Sequence, residues 1–209
     1  MRREDALSGI FRRATVRASA PAAIGLLGLL AACGGPPPVA TSGPVMDTTG
    51  SALGTLPLAG IYQLESTGAP PPDTTVTTPA GIPRTIVLRN APPDNVVFAE
   101  VAFDSAAFQA SAGQQVEIQV TPRPGAYGLT LRTSAPFSSA AITFSYPVHF
   151  FAPAGARARY GSDIEVERVL AIARLEADAA TFLPSVRPST DHLRTIVDRA
   201  GTYVVAAPR

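Results

Sequence analysis

The sequence predicts an all-β fold, a two-sheet antiparallel sandwich, preceded by an export signal and a disordered linker. Three observations carry this. From about residue 58 onward, apolar and polar residues alternate in several short runs, which puts one face of each run in a core and the other in water. Turn-forming clusters separate the runs, at 90–95 (NAPPDN), 122–125 (PRPG), 134–136 (SAP) and 153–155 (PAG), as Gly, Pro, Asn and Asp do between strands. The stretch 58–209 also has the length of one sandwich or barrel.

The chain opens differently. Residues 1–20 carry Arg2, Arg3, Arg12, Arg13 and Arg17, and an apolar run, AAIGLLGLLAA, fills 22–32. A run of about 11 residues is too short to span a bilayer as a mature helix but suits the apolar part of a signal peptide. Arg12-Arg13 leaves Sec and twin-arginine export both open. Residues 34–57 (GGPPPVATSGPVMDTTGSALGTLP) hold many turn formers and no periodic apolar face, the composition of a flexible linker. The expected division is therefore 1–32 signal peptide, 33–57 Cys33 and linker, and 58–209 sandwich, with N-terminal strands at 58–99 before a main part at 100–207.

Within the sandwich, Tyr62 and Leu64 alternate with Gln63 and Glu65. Val116, Ile118 and Val120 alternate with Gln115, Glu117 and Gln119. Leu129 and Leu131 flank Thr130, and Ile142, Phe144 and Tyr146 alternate with Thr143 and Ser145. Phe137, Phe144, Tyr146, Phe150, Phe151 and Phe182 form the expected aromatic core. Because Phe150 and Phe151 are adjacent, they point to opposite faces of a strand, and an exposed one marks a contact surface. The stretch 163–180 is ambiguous. Ser162-Asp-Ile-Glu165 reads as a capping box, and the residues after it favour a helix. The preferred reading is a short turn, a strand at about 167–175, a tight turn at 176–180 and a strand from Thr181.

Leu30-Ala31-Ala32-Cys33 resembles the lipobox of bacterial lipoproteins. The resemblance implies cleavage before Cys33, a diacylglyceryl group on its thiol and attachment to a membrane. Gly34 rather than aspartate after the cysteine implies the outer membrane more than the inner. A second resemblance covers 100–207. Residues 137–147 (FSSAAITFSYP), 170–175 (LAIARL), 182–185 (FLPS), 191–198 (DHLRTIVD) and 201–205 (GTYVV) are similar, in order, to ZU-type β-sandwich domains, named for zonula occludens proteins. Phe182 stands where that family usually has Trp, and Ala141 near its usual Pro-Val. Some members cleave themselves at a His-Phe-Ser before the final Tyr. Here Arg199-Ala200-Gly201 stands there, so self-cleavage is not expected. The start at Gly60-Ile61-Tyr62 is faintly similar to the opening of lipocalins.

No catalytic, cofactor-binding or metal-binding residues are assigned. His149 has no second ligand at metal spacing, and His192 follows Asp191 in a turn. A G-x-S-x-G elbow, a phosphate loop and a C-x-x-C pair are all missing from the sequence. Asp163, Glu165 and Glu167 lack EF-hand spacing and read as a solvated face beside Arg168. Nothing in the sequence places Glu100 beside Asp104. From Cys33 onward, 12 Arg oppose 14 Asp plus Glu, a charge of about −2, with no basic cluster, which argues against nucleic acid. The single cysteine cannot form an internal disulfide.

The expected function is a non-enzymatic envelope lipoprotein, held to the membrane through the lipid on Cys33 and presenting a sandwich to an envelope protein or glycan. The alternatives are a lipocalin-like carrier of an apolar ligand and a hydrolase with a dispersed site.

Overall fold

The computed structural model describes residues 54–209. The signal peptide 1–32, Cys33 and the linker up to residue 53 lie outside the described residues. In chain order the first strands are β1 (Gly54–Pro57), β2 (Ile61–Gln63), β3 (Thr74–Pro79), β4 (Arg84–Arg89) and β5 (Val97–Phe103). Then come β6 (Gln115–Pro122), β7 (Gly128–Thr133) and β8 (Ala140–Ser145), followed by two short helices, α1 (Ala154–Tyr160) and α2 (Asp163–Val169). The chain finishes with β9 (Ala171–Leu175), β10 (Ala179–Phe182), β11 (Ser185–Val186), β12 (His192–Val197) and β13 (Gly201–Pro208).

These strands make two antiparallel sheets packed face to face, as the alternation predicts. One runs β1-β10-β9-β13-β7-β6-β3, with β2 also paired to β13; the other runs β11-β12-β8-β5-β4. Val116, Ile118, Leu129, Ile142 and Phe144 are each 0% exposed and share the main core. Both sheets are open-edged, and side chains fill the space between them. This is not the closed ligand-holding barrel that the lipocalin alternative requires. The strands at 58–99 belong to the same sandwich: β5 runs across residue 100, while β3 and β4 supply the last strand of each sheet.

Strand β13 explains its own sequence. Tyr203, Val205 and Ala207 face the main core, while Val204 and Ala206 face a second cluster on the outer side of the larger sheet. With both faces covered, the strand reads as a continuous apolar run rather than an alternating one. The outer cluster also holds Ile61, Ala171, Ala173, Ala180 and Phe182, with Leu56 packed against it. Phe182 thus lies in this second cluster, apart from the main core expected for it. Gly128 lets β7 and β13 approach, since a Cβ there would sit 2.7 Å from Val204 Cγ1 and 2.9 Å from the Tyr203 carbonyl oxygen.

Four expectations are corrected. The linker does not extend to residue 57: Gly54–Pro57 is a strand, paired in register from Gly54 opposite Phe182 to Pro57 opposite Ala179. Its pairing partner and Leu56 impose order on a composition that reads as linker. Residues 153–155 do not form a simple turn, because α1 begins at Ala154. The alanines favour it, Ala156 is buried, and Gly155 fits against the Tyr62 ring, which a Cβ would meet at 2.8 Å. Ser162 is a true N-cap, its Oγ accepting from the Glu165 N–H at 3.2 Å, while the Glu165 carboxylate turns to Arg168 and leaves the reciprocal half of the capping box unmade; α2 runs to Val169. The strand that follows therefore starts at Ala171 instead of 167, and its hairpin partner starts at Ala179 instead of Thr181. Pairing of β9 with both β13 and β10 overrides helix propensity from Ala171 onward.

The turn into β13 is pinned by Tyr203, whose hydroxyl donates to the Arg199 carbonyl at 2.6 Å. A Tyr that reaches back to the backbone a few residues upstream is a device of immunoglobulin-like sandwiches. Burial pushes this hydroxyl up to about 12, so the folded state favours its neutral form. An unfolded tyrosine ionises near 10. The contribution is therefore complete below about pH 10 and is lost as pH rises toward 12. In urea titrations the midpoint is expected to fall across that window. Tyr203→Phe should flatten part of the fall and, through the lost hydrogen bond, cost about 1 kcal/mol at neutral pH. An identical pH profile in the variant would remove Tyr203 from this role.

Candidate functional site

Of the residues singled out from sequence, Cys33 lies outside the described part. His149 is exposed in the loop after β8. His192 lies beside Asp191 and Ser189, and its Nδ1 is 2.7 Å from both Ser189 Oγ and Asp191 Oδ1. Ser189 Oγ also donates to Asp191 Oδ1 at 2.8 Å. A serine–histidine–carboxylate relay needs the serine on one ring nitrogen and the carboxylate on the other. Here both crowd the same nitrogen, so the three side chains tie down the turn before β12. Hydrogen bonds from Ser189 and then His192 hold the Asp191 carboxyl below its ordinary range.

The acidic residues are dispersed. Asp163 Oδ1 accepts from the Ala152 N–H at 2.9 Å, and Glu165 pairs with Arg168. Glu167 meets the Tyr146 hydroxyl at 3.4 Å. Asp104 accepts from the Ala106 N–H at 2.8 Å in a local turn. Among the described residues no three acidic, histidine or cysteine side chains gather at metal-binding distance.

Exposed apolar side chains gather in two places instead. The first is a groove of about 730 Å³ along β11 and β12, lined by Pro184, Val186, Pro188 and Ile196 with Arg187 and Arg194. Register makes it: Val186 lies opposite Arg194, and Ser185 opposite Thr195. Along β12, Leu193, Thr195 and Val197 turn inward, leaving Ile196 outward and 58% exposed, with Val186 at 63%. The groove has a stiff floor. Thr195 Oγ1 donates to the Pro184 carbonyl at 2.7 Å. Arg187 donates to the Tyr146 hydroxyl at 2.9 Å and to the carbonyls of Glu167 and Leu170. Such a surface, apolar at its centre and rimmed by arginine, suits a macromolecular contact more than chemistry.

The second place is the end of the sandwich where β8 leaves and β5 enters. Tyr127 stacks on Phe98 at 5.4 Å, and Tyr146 meets Phe150 edge-on at 5.6 Å. Burial, together with the nearby Glu167 and against the effect of Arg187, pushes the Tyr146 hydroxyl up to about 12. A cleft of about 230 Å³ opens between Tyr127, Tyr146, Val96 and Val148. Beyond it Phe150 packs inward, but Phe151 stands 80% exposed and so does not join the aromatic core expected for it. The two residues lie in a loop and not on a strand, so the loop's path and not strand alternation parts them.

The groove was not visible in the sequence, because Ile196 and Val186 look like core residues until strand pairing fixes which face they take. The outward Arg194, two residues before Ile196, is the one local signal. Among the described residues no helix is long and apolar enough to cross a membrane. In comparisons with known proteins, no family model, curated protein or solved structure matches this chain.

Proposed function

We propose that this chain is an exported lipoprotein, anchored through Cys33 and presenting its sandwich to a protein or glycan of the cell envelope. The observation that carries the reading is Leu30-Ala31-Ala32-Cys33 at the end of an apolar run behind a basic segment. The position of the folded body agrees with it. The first described strand begins at Gly54, which leaves 53 − 33 = 20 residues between Cys33 and that strand. Such a chain spans at most about 70 Å when extended. Gly34 after the cysteine favours the outer membrane.

The binding role rests on the groove of Pro184, Val186, Pro188 and Ile196. The described serine–histidine–carboxylate cluster lends the hydrolase alternative no support, since Ser189 and Asp191 both lie on Nδ1 of His192. The ZU-type reading of 100–207 rests on the order of its sequence motifs, and an antiparallel two-sheet sandwich is compatible with it. The test is the intact mass of protein isolated from the native membrane. A chain beginning at Cys33 and carrying at least a diacylglyceryl group is the expected species. A chain retaining 1–32 without lipid would overturn the reading.

A further inference from the structure

Besides the groove, four exposed apolar side chains cluster at one end of the sandwich: Val96, Val148, Phe151 and Ile164. They are continuous. Val96 and Val148 border the same cleft, and Val148, Phe151 and Ile164 line one shallow pocket. They come from three separate segments: the loop before β5, the loop after β8 and the first turn of α2. The ring of Phe151 protrudes from the loop that also buries Phe150. That loop is braced, since the Ala152 N–H donates to Asp163 Oδ1 at 2.9 Å. The ring is thus held out by a fixed scaffold, with no polar partner of its own to satisfy.

The direction of β1 bears on what this end faces. In β1, Gly54 lies opposite Phe182, and Pro57 lies opposite Ala179 at the tip of the β9–β10 hairpin. Strand β9 leaves α2 at Ala171 and runs toward that tip. So β1 is entered from the α2 end of the sheet, the end that carries Phe151 and Ile164. The described chain thus enters β1 from the side of the apolar patch. An anchor also makes the surface contact intramolecular, so a patch too small to bind vesicles tightly by itself is still engaged.

We propose that this end of the sandwich rests on the membrane, with Phe151 inserted into the bilayer interface and Val96, Val148 and Ile164 around it. The inference rests on the reading of Cys33 as the anchor. Aromatic side chains favour the headgroup level, where an apolar ring meets acyl chains at its tip and water at its base. Asp163 and Glu167 beside the patch disfavour contact through anionic lipid charge. The occupant is thus the apolar boundary of the bilayer, and zwitterionic lipid suffices. In this pose the groove along β11 and β12, on the outer face of the smaller sheet, is left open to a partner.

The sequence contains no tryptophan, so a single introduced one reports its own surroundings. The experiment uses the full-length protein, isolated from membranes, checked for lipid by intact mass and reconstituted in phosphatidylcholine vesicles. Phe151→Trp is compared with Ile82→Trp, which is exposed in the β3–β4 turn at the opposite end of the sandwich. Both positions are on the surface, so neither change disturbs the core. The tryptophan replacing Phe151 is expected to emit at shorter wavelength and to lose roughly half its intensity to brominated phosphatidylcholine, as an indole at the headgroup level does. The tryptophan replacing Ile82 should stay red-emitting and unquenched. Lipidated, vesicle-bound protein with neither or both tryptophans quenched would overturn the inference while leaving the anchor intact. A blue shift that grows with protein concentration in the absence of vesicles would assign the patch to a second copy and also overturn it. Absence of lipid on the native chain would remove the anchor reading, and the inference with it.

Discussion

Cys33→Ser is expected to abolish lipid attachment, so that the protein is recovered either as an uncleaved precursor or in the soluble fraction. On the lipoprotein reading proposed above no other residue can take over the anchor, since the chain contains one cysteine. After Cys33 no apolar stretch approaches the about 18 residues that a spanning helix needs. The energetics make the effect large. Buried acyl carbon contributes about 0.8 kcal/mol per CH₂, so one chain binds marginally and two hold stably. The diacylglyceryl group supplies two at once, and losing the thiol loses both. The apolar end around Phe151 cannot compensate, because without the tether its contact is no longer intramolecular. Fractionation followed by intact mass checks this. An unlipidated wild type that keeps residues 1–32 is the outcome that defeats it.

The second large effect is on the fold. Phe144→Ala is expected to destabilise the domain by about 3–5 kcal/mol. The ring is fully buried on β8, where Phe144 pairs with Leu193 on one side and Ala99 on the other. It meets Phe98 edge-on at 6.1 Å, and Phe98 in turn stacks on Tyr127. Truncation therefore opens a cavity between the two sheets and removes an aromatic pair as well. Against a total stability of about 5–15 kcal/mol, much of the margin disappears. A lower urea midpoint at unchanged slope is the expected result. A loss under about 1 kcal/mol would mean that the ring does not fill the core.

The fold was legible where each residue's neighbours along the chain set its environment. Val116, Ile118 and Val120 on β6 alternate with polar residues, and so do Ile142 and Phe144 on β8; all of them lie in the core. It was not legible where distant pairing decides. Nothing in Gly54–Pro57 announces a strand, and β10 creates one by pairing with it. The stretch from Asp163 has one composition but two fates, because Ser162 caps its first half while β13 and β10 capture its second. The groove follows the same rule. Pro184, Val186 and Ile196 become neighbours only through the register of β11 on β12. The reading of Cys33 as an anchor rests on sequence alone, since a short apolar run ending in small residues and a cysteine needs no tertiary context, and it lies outside the described residues.

Strand β13 has a further consequence, for the timing of folding. It is the hub of the larger sheet, pairing with β2, β7 and β9, and it follows every other strand in the chain. Until Gly201–Pro208 has been synthesised, β9 and β7 have no strand between them, and the core lacks Tyr203 and Val205. Pairing across such separations also carries a loop-closure cost that slows collapse. A nascent chain of this topology cannot close its sandwich early. On the export reading proposed above, the polypeptide would be threaded unfolded across a membrane, and the last strand would then act as a delay timer that keeps it translocation-competent while it is being made.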